Sequence, residues 1–282
     1  MRKLKYRYSN KKLSRGEPPN FSGQHLMHNK KTIQEVISRS SINKNETIVE
    51  LGAGKGALTE ALASTSREVL AVEYDQKYVD VLRRKFIQSN NVKVIQQDIM
   101  KFRLPKKKFV VVSNIPYAIT TPILKMLLSN PKSGFQRGVI VVERGAAKRF
   151  TAKYFKDAYV LAWRMWFDLR LEKSVPKEHF SPPPKVDSAI LSIKRKEAPV
   201  IAYQHAQLFQ NMSHHLLKFP QAPMGMALRG IFTVPQIKHL RNSLGVNNEF
   251  PVGSLNEKQW AKVLETMIQY VPQSSWPKRK KR

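Results

Sequence analysis

The chain of 282 residues contains no cysteine. Disulfide bonds, thiolate zinc sites and cysteine nucleophiles are therefore excluded, and the composition is consistent with a reducing, cytoplasmic location. The sequence also lacks an apolar run close to the roughly 18 residues that a membrane-spanning helix requires, so we expect no membrane partner. No apolar segment follows the basic amino terminus, which argues against a secretory signal peptide.

Acidic residues are scarce as well. The 20 Asp and Glu residues face 50 Lys and Arg residues, which gives a formal net charge of +30. Seven of the cations lie in residues 2–15 and five in residues 278–282, so a charge of +18 remains on the rest of the chain. A basic surface of this size predicts a polyanionic partner such as nucleic acid. We predict that residues 1–20 form a flexible basic tail and that residues 276–282 form a second basic tail.

A glycine-rich turn follows the first predicted strand, residues 47–51, and precedes a helical pattern at residues 57–63. Its three glycines are Gly52, Gly54 and Gly56. Glycines between a strand and a helix let the backbone approach a ligand at the amino end of the helix. The next predicted strand ends at Glu73, 21 residues after Gly52, the offset at which an acid binds ribose hydroxyls. The sequence therefore predicts a site for a nucleoside-containing cofactor.

The glycine pattern leaves the identity of this cofactor open. Gly52-x-Gly54-x-x-Ala57 satisfies the dinucleotide fingerprint, whose third position accepts Ala, and this favours an NAD-type cofactor. Gly52-x-Gly54-x-Gly56 preceded by Glu50 is more typical of S-adenosylmethionine sites. The third predicted strand, residues 92–95, leads to Asp98, which can accept a hydrogen bond from an adenine amine. Asp98 can equally cap the turn that follows it.

The fourth predicted strand, residues 109–113, leads into Asn114-Ile-Pro-Tyr117. Pro116 has no N–H group, so the strand ends and the turn lies at the carboxyl edge of the sheet, where ligands bind. The Asn114 side chain and the Ile115 carbonyl can each accept a hydrogen from an exocyclic amine, while Tyr117 can stack on its ring. Two such acceptors favour a pyramidal nitrogen whose lone pair is directed at an electrophile. The alternative is an ordinary Asn-Pro surface turn.

Strands and helices alternate from residue 33 to about residue 150, which predicts an α/β fold with a doubly wound, mostly parallel sheet. Further strand patterns occur at residues 139–142 and 187–194. After residue 196, helical periodicity in three segments predicts a small all-helical domain. These segments are residues 203–219, 235–244 and 256–270.

Five motifs follow one another in a definite order. They are Glu50-Leu-Gly-Ala-Gly-Lys-Gly56, Glu73, Gln-Asp98-Ile, Asn114-Ile-Pro-Tyr117 and Phe180-x-Pro-Pro-Pro-Lys-Val-Asp-Ser188. Together they resemble the ribosomal RNA adenine N6-dimethyltransferases, a superfamily that includes the Erm methylases and the small-subunit dimethylases. The resemblance extends from about Gly23 to the end of the chain. It implies a Rossmann-like class I methyltransferase domain at residues 21–196, with S-adenosylmethionine as cofactor, and a helical RNA-binding domain at residues 197–275.

The resemblance also implies roles for individual residues. Those expected to act on the target adenine are Asn114, Ile115, Tyr117 and Phe180. Those expected to bind the cofactor are His25, Met27, Gly52, Gly54, Gly56, Glu73, Tyr74, Asp98, Ile99 and Asn114. The family reads Gln-Asn-Phe before its first helix, whereas this chain has Gln24-His25-Leu26. This departure favours backbone contacts from His25 and Met27 over a role for the His25 side chain, and no metal is expected.

The basic tails and their tyrosines resemble the Erm branch. That branch implies a monomer that methylates one adenine in the peptidyl-transferase loop of 23S rRNA before the subunit is fully assembled. It also implies resistance to macrolides, lincosamides and streptogramin B. The alternatives are a housekeeping 16S rRNA dimethylase, an RNA-binding assembly factor without activity, and a nicotinamide oxidoreductase. The turn at residues 114–117 argues against the second, and the charge of +30 argues against the third.

Overall fold

The computed structural model of the protein describes residues 25–278. The predicted amino-terminal tail lies outside these residues, as do Gln24 and residues 279–282 of the predicted carboxy-terminal tail. Across residues 25–278, no helix has the length and apolar character needed to cross a bilayer.

Nine strands form two sheets within the described range. They are β1 Leu26–Met27, β2 Thr47–Leu51, β3 Glu68–Glu73, β4 Val92–Gln96, β5 Phe109–Asn114, β6 Phe135–Glu143, β7 Phe167–Val175, β8 Phe180–Ser181 and β9 Ser188–Arg195. The central sheet has the order β4-β3-β2-β5-β6-β9-β7, while β1 and β8 form a separate antiparallel pair. Strands β2 to β6 are parallel, and β9 is antiparallel to β6 and β7. The predicted, mostly parallel sheet is confirmed.

Six helices flank the sheet and four follow it in the described residues. They are α1 Lys30–Ser40, α2 Ala57–Ala63, α3 Gln76–Lys85, α4 Thr120–Leu128, α5 Arg144–Thr151, α6 Ala158–Arg164, α7 Ala206–Leu216, α8 Met224–Ala227, α9 Val234–Leu244 and α10 Glu257–Tyr270. Alternate strand residues face opposite layers. Ile48 and Val110 pack with α1 and α2, whereas Val49 and Val111 pack with Ile123 of α4. Both faces are covered, which explains the continuous apolar run in β5.

The carboxy-terminal helices share a core with the sheet. Trp166, just before β7, contacts Phe209 of α7 edge-on with ring centroids 6.5 Å apart, and Phe209 contacts Trp260 of α10 at 6.4 Å. Each such pair contributes about 0.5–1.5 kcal/mol beyond its buried area. Arg164 and Glu257 form an ion pair between α6 and α10. One hydrophobic cluster therefore runs continuously across the boundary that the sequence predicts near residue 196.

Candidate active site

A cavity opens at the carboxyl edge of the sheet, beside the ends of β2, β3 and β5. Its volume is about 660 Å³ with its open mouth included. It is lined by His25, Leu26, Gly52, Gly54, Glu73, Tyr74, Asp98, Ile99, Asn114, Ile115, Pro116, Tyr117 and Ile119. The structure thus brings together ten of the thirteen site residues that the sequence predicts. The other three, described below, do not line the cavity.

Asn114 ends β5, and its carboxamide has a defined orientation. Its Nδ2 atom donates to the His25 carbonyl at 2.7 Å. Because a carbonyl only accepts, the nitrogen is the atom that faces His25, and Oδ1 lies on the other side of the amide. Oδ1 is buried and accepts no hydrogen bond from any residue of the described range. A buried acceptor without a partner costs about 1–3 kcal/mol, and such atoms in a cavity wall are typical of binding sites.

Pro116 separates Ile115 from Tyr117 and stiffens the turn between them. Ile115 is buried, and its N–H donates to the Val141 carbonyl of β6 at 3.3 Å. The Tyr117 hydroxyl forms a hydrogen bond with the buried hydroxyl of Ser188 on β9. Burial raises the pKa of Tyr117 above its usual value, so the phenol stays neutral. The turn therefore presents a fixed aromatic ring to the cavity.

Glu73 has a buried carboxylate that is held by three backbone N–H groups. Oε2 accepts from Gly54 at 2.8 Å, while Oε1 accepts from Tyr74 at 2.7 Å and from Asp75 at 2.9 Å. A carboxylate offers about four acceptor sites, so it can still accept from a ligand hydroxyl. The position of this acid beside the glycine turn suits the ribose of a nucleoside.

The glycines of the turn have two different roles in the structure. Gly52 and Gly54 line the cavity in the left-handed region, with φ of 83° and 55°. A Cβ atom on Gly54 would lie 2.7 Å from Leu26 Cδ2, so the segment before α1 packs directly on the turn. Gly56 does not line the cavity. A Cβ atom there would lie 2.8 Å from Leu82 Cδ2, so Gly56 allows α3 to pack closely.

Phe180 and Met27 lie in the core and not at the cavity wall. The two residues are paired in the β1–β8 register and belong to one hydrophobic cluster. Only 1% of Phe180 and 5% of Met27 is exposed. The resemblance implies that Phe180 acts on the target adenine, but its side chain in this structure is buried in that cluster. The pairing of these distant segments has no local signal in the sequence.

Asp98 lies at the cavity wall and also caps the turn that follows it. Its Oδ1 atom accepts from the Met100 N–H at 2.8 Å, so the capping role considered from the sequence is present. The other carboxylate oxygen leaves acceptor capacity for an amine. Ile99 is buried beside it, and Tyr74 is 40% exposed at the rim. These side chains suit a flat base between an apolar side chain and an acid.

A short segment before α1 forms one wall of the cavity. We call residues 25–29 the amino-terminal strap and residues 179–185 the proline loop. The strap pairs with the loop through β1 and β8, and the His28 N–H donates to the His179 carbonyl at 3.0 Å.

The cavity wall also contains three residues that the sequence does not predict as site residues, namely Leu26, Pro116 and Ile119.

Glu50 is a buried acid beneath the glycine turn. It is 2% exposed, and one oxygen accepts from the Thr59 hydroxyl at 2.6 Å. The pKa of Glu50 is raised to about 8, mainly by burial; the Thr59 hydrogen bond opposes this rise, and the charge of the nearby Glu73 contributes to it. Glu50 is therefore largely protonated at neutral pH.

The raised pKa predicts a pH-dependent stability. Between the usual value of 4.5 and about 8, folded Glu50 holds a proton that the unfolded chain has lost. Stability should therefore fall as the pH rises through this window. Glu50→Gln keeps an acceptor for Thr59. At pH 9 its free energy of unfolding, measured by denaturant titration, should exceed that of the wild type by a margin on the order of a few kcal/mol. Equal differences at pH 5 and pH 9 would contradict this, and the exposed Glu249→Gln provides the control.

The donor set suits an organic cofactor better than a metal. Among residues 25–278, no group of three or more His, Asp or Glu side chains could hold a metal ion. The cavity instead combines a glycine turn, an anchored carboxylate and an unused amide acceptor. This combination fits a nucleoside-containing cofactor with a second, amine-bearing ligand beside it.

Comparisons with known proteins point in the same direction. The family model described as ribosomal RNA adenine dimethylase matches residues 19–269. An rRNA adenine N-6-methyltransferase of Bacillus licheniformis is 59% identical over 282 residues, which cover 100% of this chain and 98% of that protein. A ribosomal RNA small subunit methyltransferase A of Streptococcus thermophilus is 34% identical over 203 residues, which cover 68% of this chain and 70% of that protein. The crystal structure of 23S rRNA methyltransferase ErmE has the same fold, with a TM-score of 0.78 and 23% identity over 86% of this chain and 100% of that chain.

Proposed function

The chain belongs to the ribosomal RNA adenine dimethylase family, and we propose that its cavity transfers methyl groups from S-adenosylmethionine to the N6 amine of an rRNA adenine. One observation carries the assignment of the site. Asn114 Oδ1 is a buried acceptor in the cavity wall that no described residue uses. Its amide is held in that orientation by the His25 carbonyl, so the acceptor is available for an incoming amine.

The cofactor supplies an electrophilic methyl group, and the residues of the chain bind and orient the cofactor and the target adenine. Gly52 and Gly54 allow the cofactor to lie close to the backbone, and the Glu73 carboxylate accepts from its ribose. Asp98 accepts from its adenine amine. Each of these residues lines the cavity, which supports the set as a whole.

The target adenine enters unstacked, because its amine is inaccessible within a duplex. Asn114 Oδ1 and the Ile115 carbonyl accept its two amine hydrogens, and the Tyr117 ring stacks on the base. Orientation of this kind can supply roughly 7–11 kcal/mol of the barrier. The same two oxygens stabilise the positive charge that develops on the nitrogen. The amine proton becomes acidic only as the methyl group is transferred, so no strong general base is needed.

We further propose that the substrate is 23S rRNA, that one adenine of the peptidyl-transferase loop is modified, and that resistance to macrolides, lincosamides and streptogramin B follows. The full-length similarity to the Bacillus relative supports a separate branch from the small-subunit enzyme, which matches 68% of the chain. The net charge of +30 supports an RNA substrate. A monomer acting on unassembled 23S rRNA in the cytoplasm is part of the same proposal.

Methyl transfer from labelled S-adenosylmethionine to purified 23S and 16S rRNA tests this proposal. We expect label in 23S rRNA at one adenine, located by primer extension, and raised macrolide tolerance in expressing cells. Label confined to 16S rRNA would favour the housekeeping dimethylase. Calorimetric titration with S-adenosylmethionine and with NAD provides the cofactor control, and binding of NAD alone would overturn the proposal.

A further inference from the structure

We propose that the His25 side chain is a positioning residue for methyl transfer. Its imidazole is hydrogen-bonded to the proline loop and so holds the amino-terminal strap in place. This keeps the Asn114 amide in the orientation in which Oδ1 faces the target amine. The inference rests on the proposed function and assigns a task to a side chain for which the sequence predicts only backbone contacts.

The imidazole makes one defined hydrogen bond. Its Nδ1 atom lies 2.7 Å from the carbonyl oxygen of Pro182 in the proline loop. A carbonyl oxygen can only accept, so Nδ1 is the nitrogen that carries the hydrogen. The bond therefore requires a nitrogen donor at the δ position of residue 25.

This hydrogen bond connects the two segments just beyond the last pair of β1 and β8. In the β1–β8 pair, Met27 is opposite Phe180 and Leu26 is opposite Ser181. The next pair in this register would be His25 and Pro182. Because His28 bonds the His179 carbonyl directly, the alternation of an antiparallel ladder places His25 and Pro182 at a position where the two backbones exchange no hydrogen bond. The His25 side chain extends the connection by one residue, to the point where the strap reaches the cavity.

His25 also contacts Asn114 and Tyr117, the two residues that face the target base in the proposed mechanism. The His25 carbonyl receives the Asn114 Nδ2 hydrogen bond at 2.7 Å. The His25 ring also lies 5.8 Å from the Tyr117 ring, centroid to centroid, with a tilt of 38°. Release of the imidazole from Pro182 would free the strap at His25, and the amide could then turn. A turned amide would present N–H groups to an amine that needs an acceptor.

Farther along the strap, the other bonds do not depend on His25. The His28 N–H donates to the His179 carbonyl, and just beyond the strap the hydroxyl of Thr32 in α1 lies 2.7 Å from His179 Nδ1. Loss of the imidazole should therefore loosen only the end of the strap beside Asn114. The rest of the wall and the cofactor contacts of Gly52, Gly54 and Glu73 should persist.

A matched pair of substitutions isolates the donor. In Asn the Nδ2 atom is attached to Cγ, as Nδ1 is in His, so His25→Asn can keep the bond to Pro182. His25→Leu has the same branched shape as Asn and no donor. We expect His25→Leu to have a kcat about tenfold below that of His25→Asn, the effect of about one hydrogen bond. The dissociation constant for S-adenosylmethionine should be the same in both variants.

A second measurement separates positioning from folding. If His25 acts through Asn114, His25→Leu should cause no further loss of kcat when Asn114 is already Ala. A purely structural role would lower kcat again in that background, and this would overturn the inference. Equal kcat values for His25→Asn and His25→Leu in an otherwise active enzyme would also overturn it. A wild-type protein that transfers no methyl group would instead overturn the proposed function, so the two failures are distinct.

Discussion

Asn114→Ala is expected to lower the rate constant of methyl transfer by about 10²–10³-fold, the usual effect of removing one preorganised electrostatic group from an active site. In the proposed mechanism, the acceptor that is lost faces an amine whose nitrogen becomes positive during the reaction. Its contribution therefore grows from the ground state to the transition state and lowers kcat more than binding. Single-turnover transfer from labelled S-adenosylmethionine to rRNA measures this rate.

The affinity of Asn114→Ala for S-adenosylmethionine should change little, because the glycine turn, Glu73 and Asp98 remain. Asn91 offers a matched control. Its amide also donates to backbone carbonyls, those of Ala63 at 2.7 Å and Ser66 at 3.1 Å, but it does not line the cavity. Asn91→Ala should lower the melting temperature without lowering the transfer rate of the folded enzyme. An Asn114→Ala enzyme with wild-type turnover would contradict the role of its side-chain oxygen.

Local patterns in the sequence predict most of the elements that carry this site. The strand predicted at residues 109–113 lies within β5, and the helical pattern at residues 57–63 coincides with α2. These predictions succeed because side-chain period and burial are both properties of short segments. The predicted strand at residues 139–142 is extended to nine residues in β6, since pairing with both β5 and β9 stabilises its ends.

Other elements were not predicted because their stability comes from distant partners. Helix α3 has only Val79 and Leu82 buried, so its apolar stripe is narrow. Strands β1 and β8 have two residues each and exist only as a pair of segments far apart in the chain. The orientation of the Asn114 amide likewise depends on a carbonyl 89 residues away. The sequence predicts that the Asn114 side chain is an acceptor, and the structure adds the His25 carbonyl, which fixes the orientation of the amide.

The position of Phe180 illustrates the same limit. The motif from Phe180 to Ser188 marks a segment at the carboxyl edge of the sheet, and Ser188 does bond the Tyr117 hydroxyl there. The Phe180 side chain, however, is buried in the hydrophobic cluster that also contains Met27 of the strap. Without knowledge of that pairing, an aromatic residue in a functional motif is indistinguishable from a core residue. The base-stacking role in our proposal therefore falls to Tyr117 alone.

Tyr117→Ala is expected to lower methyl transfer by about 5- to 150-fold, because base stacking on an aromatic side chain contributes about 1–3 kcal/mol. Tyr117→Phe keeps the ring and loses only the hydrogen bond to Ser188, so its transfer rate should stay within about tenfold of the wild-type rate. Ser188→Ala removes the same hydrogen bond from the other side and should resemble Tyr117→Phe. Fluorescence of 2-aminopurine placed at the target position of the RNA reports whether the base is held on the ring.

The comparison of the two Tyr117 variants separates stacking from hydrogen bonding. Burial raises the pKa of Tyr117, so its hydroxyl stays neutral at physiological pH and contributes no charge to the site. If the hydroxyl were the functional group, Tyr117→Phe and Tyr117→Ala would lose activity equally. If the ring is the functional group, only Tyr117→Ala should fail to quench the 2-aminopurine signal. Equal rates for the two variants, with both proteins folded, would remove the stacking contact from the mechanism and leave the base held by its amine alone.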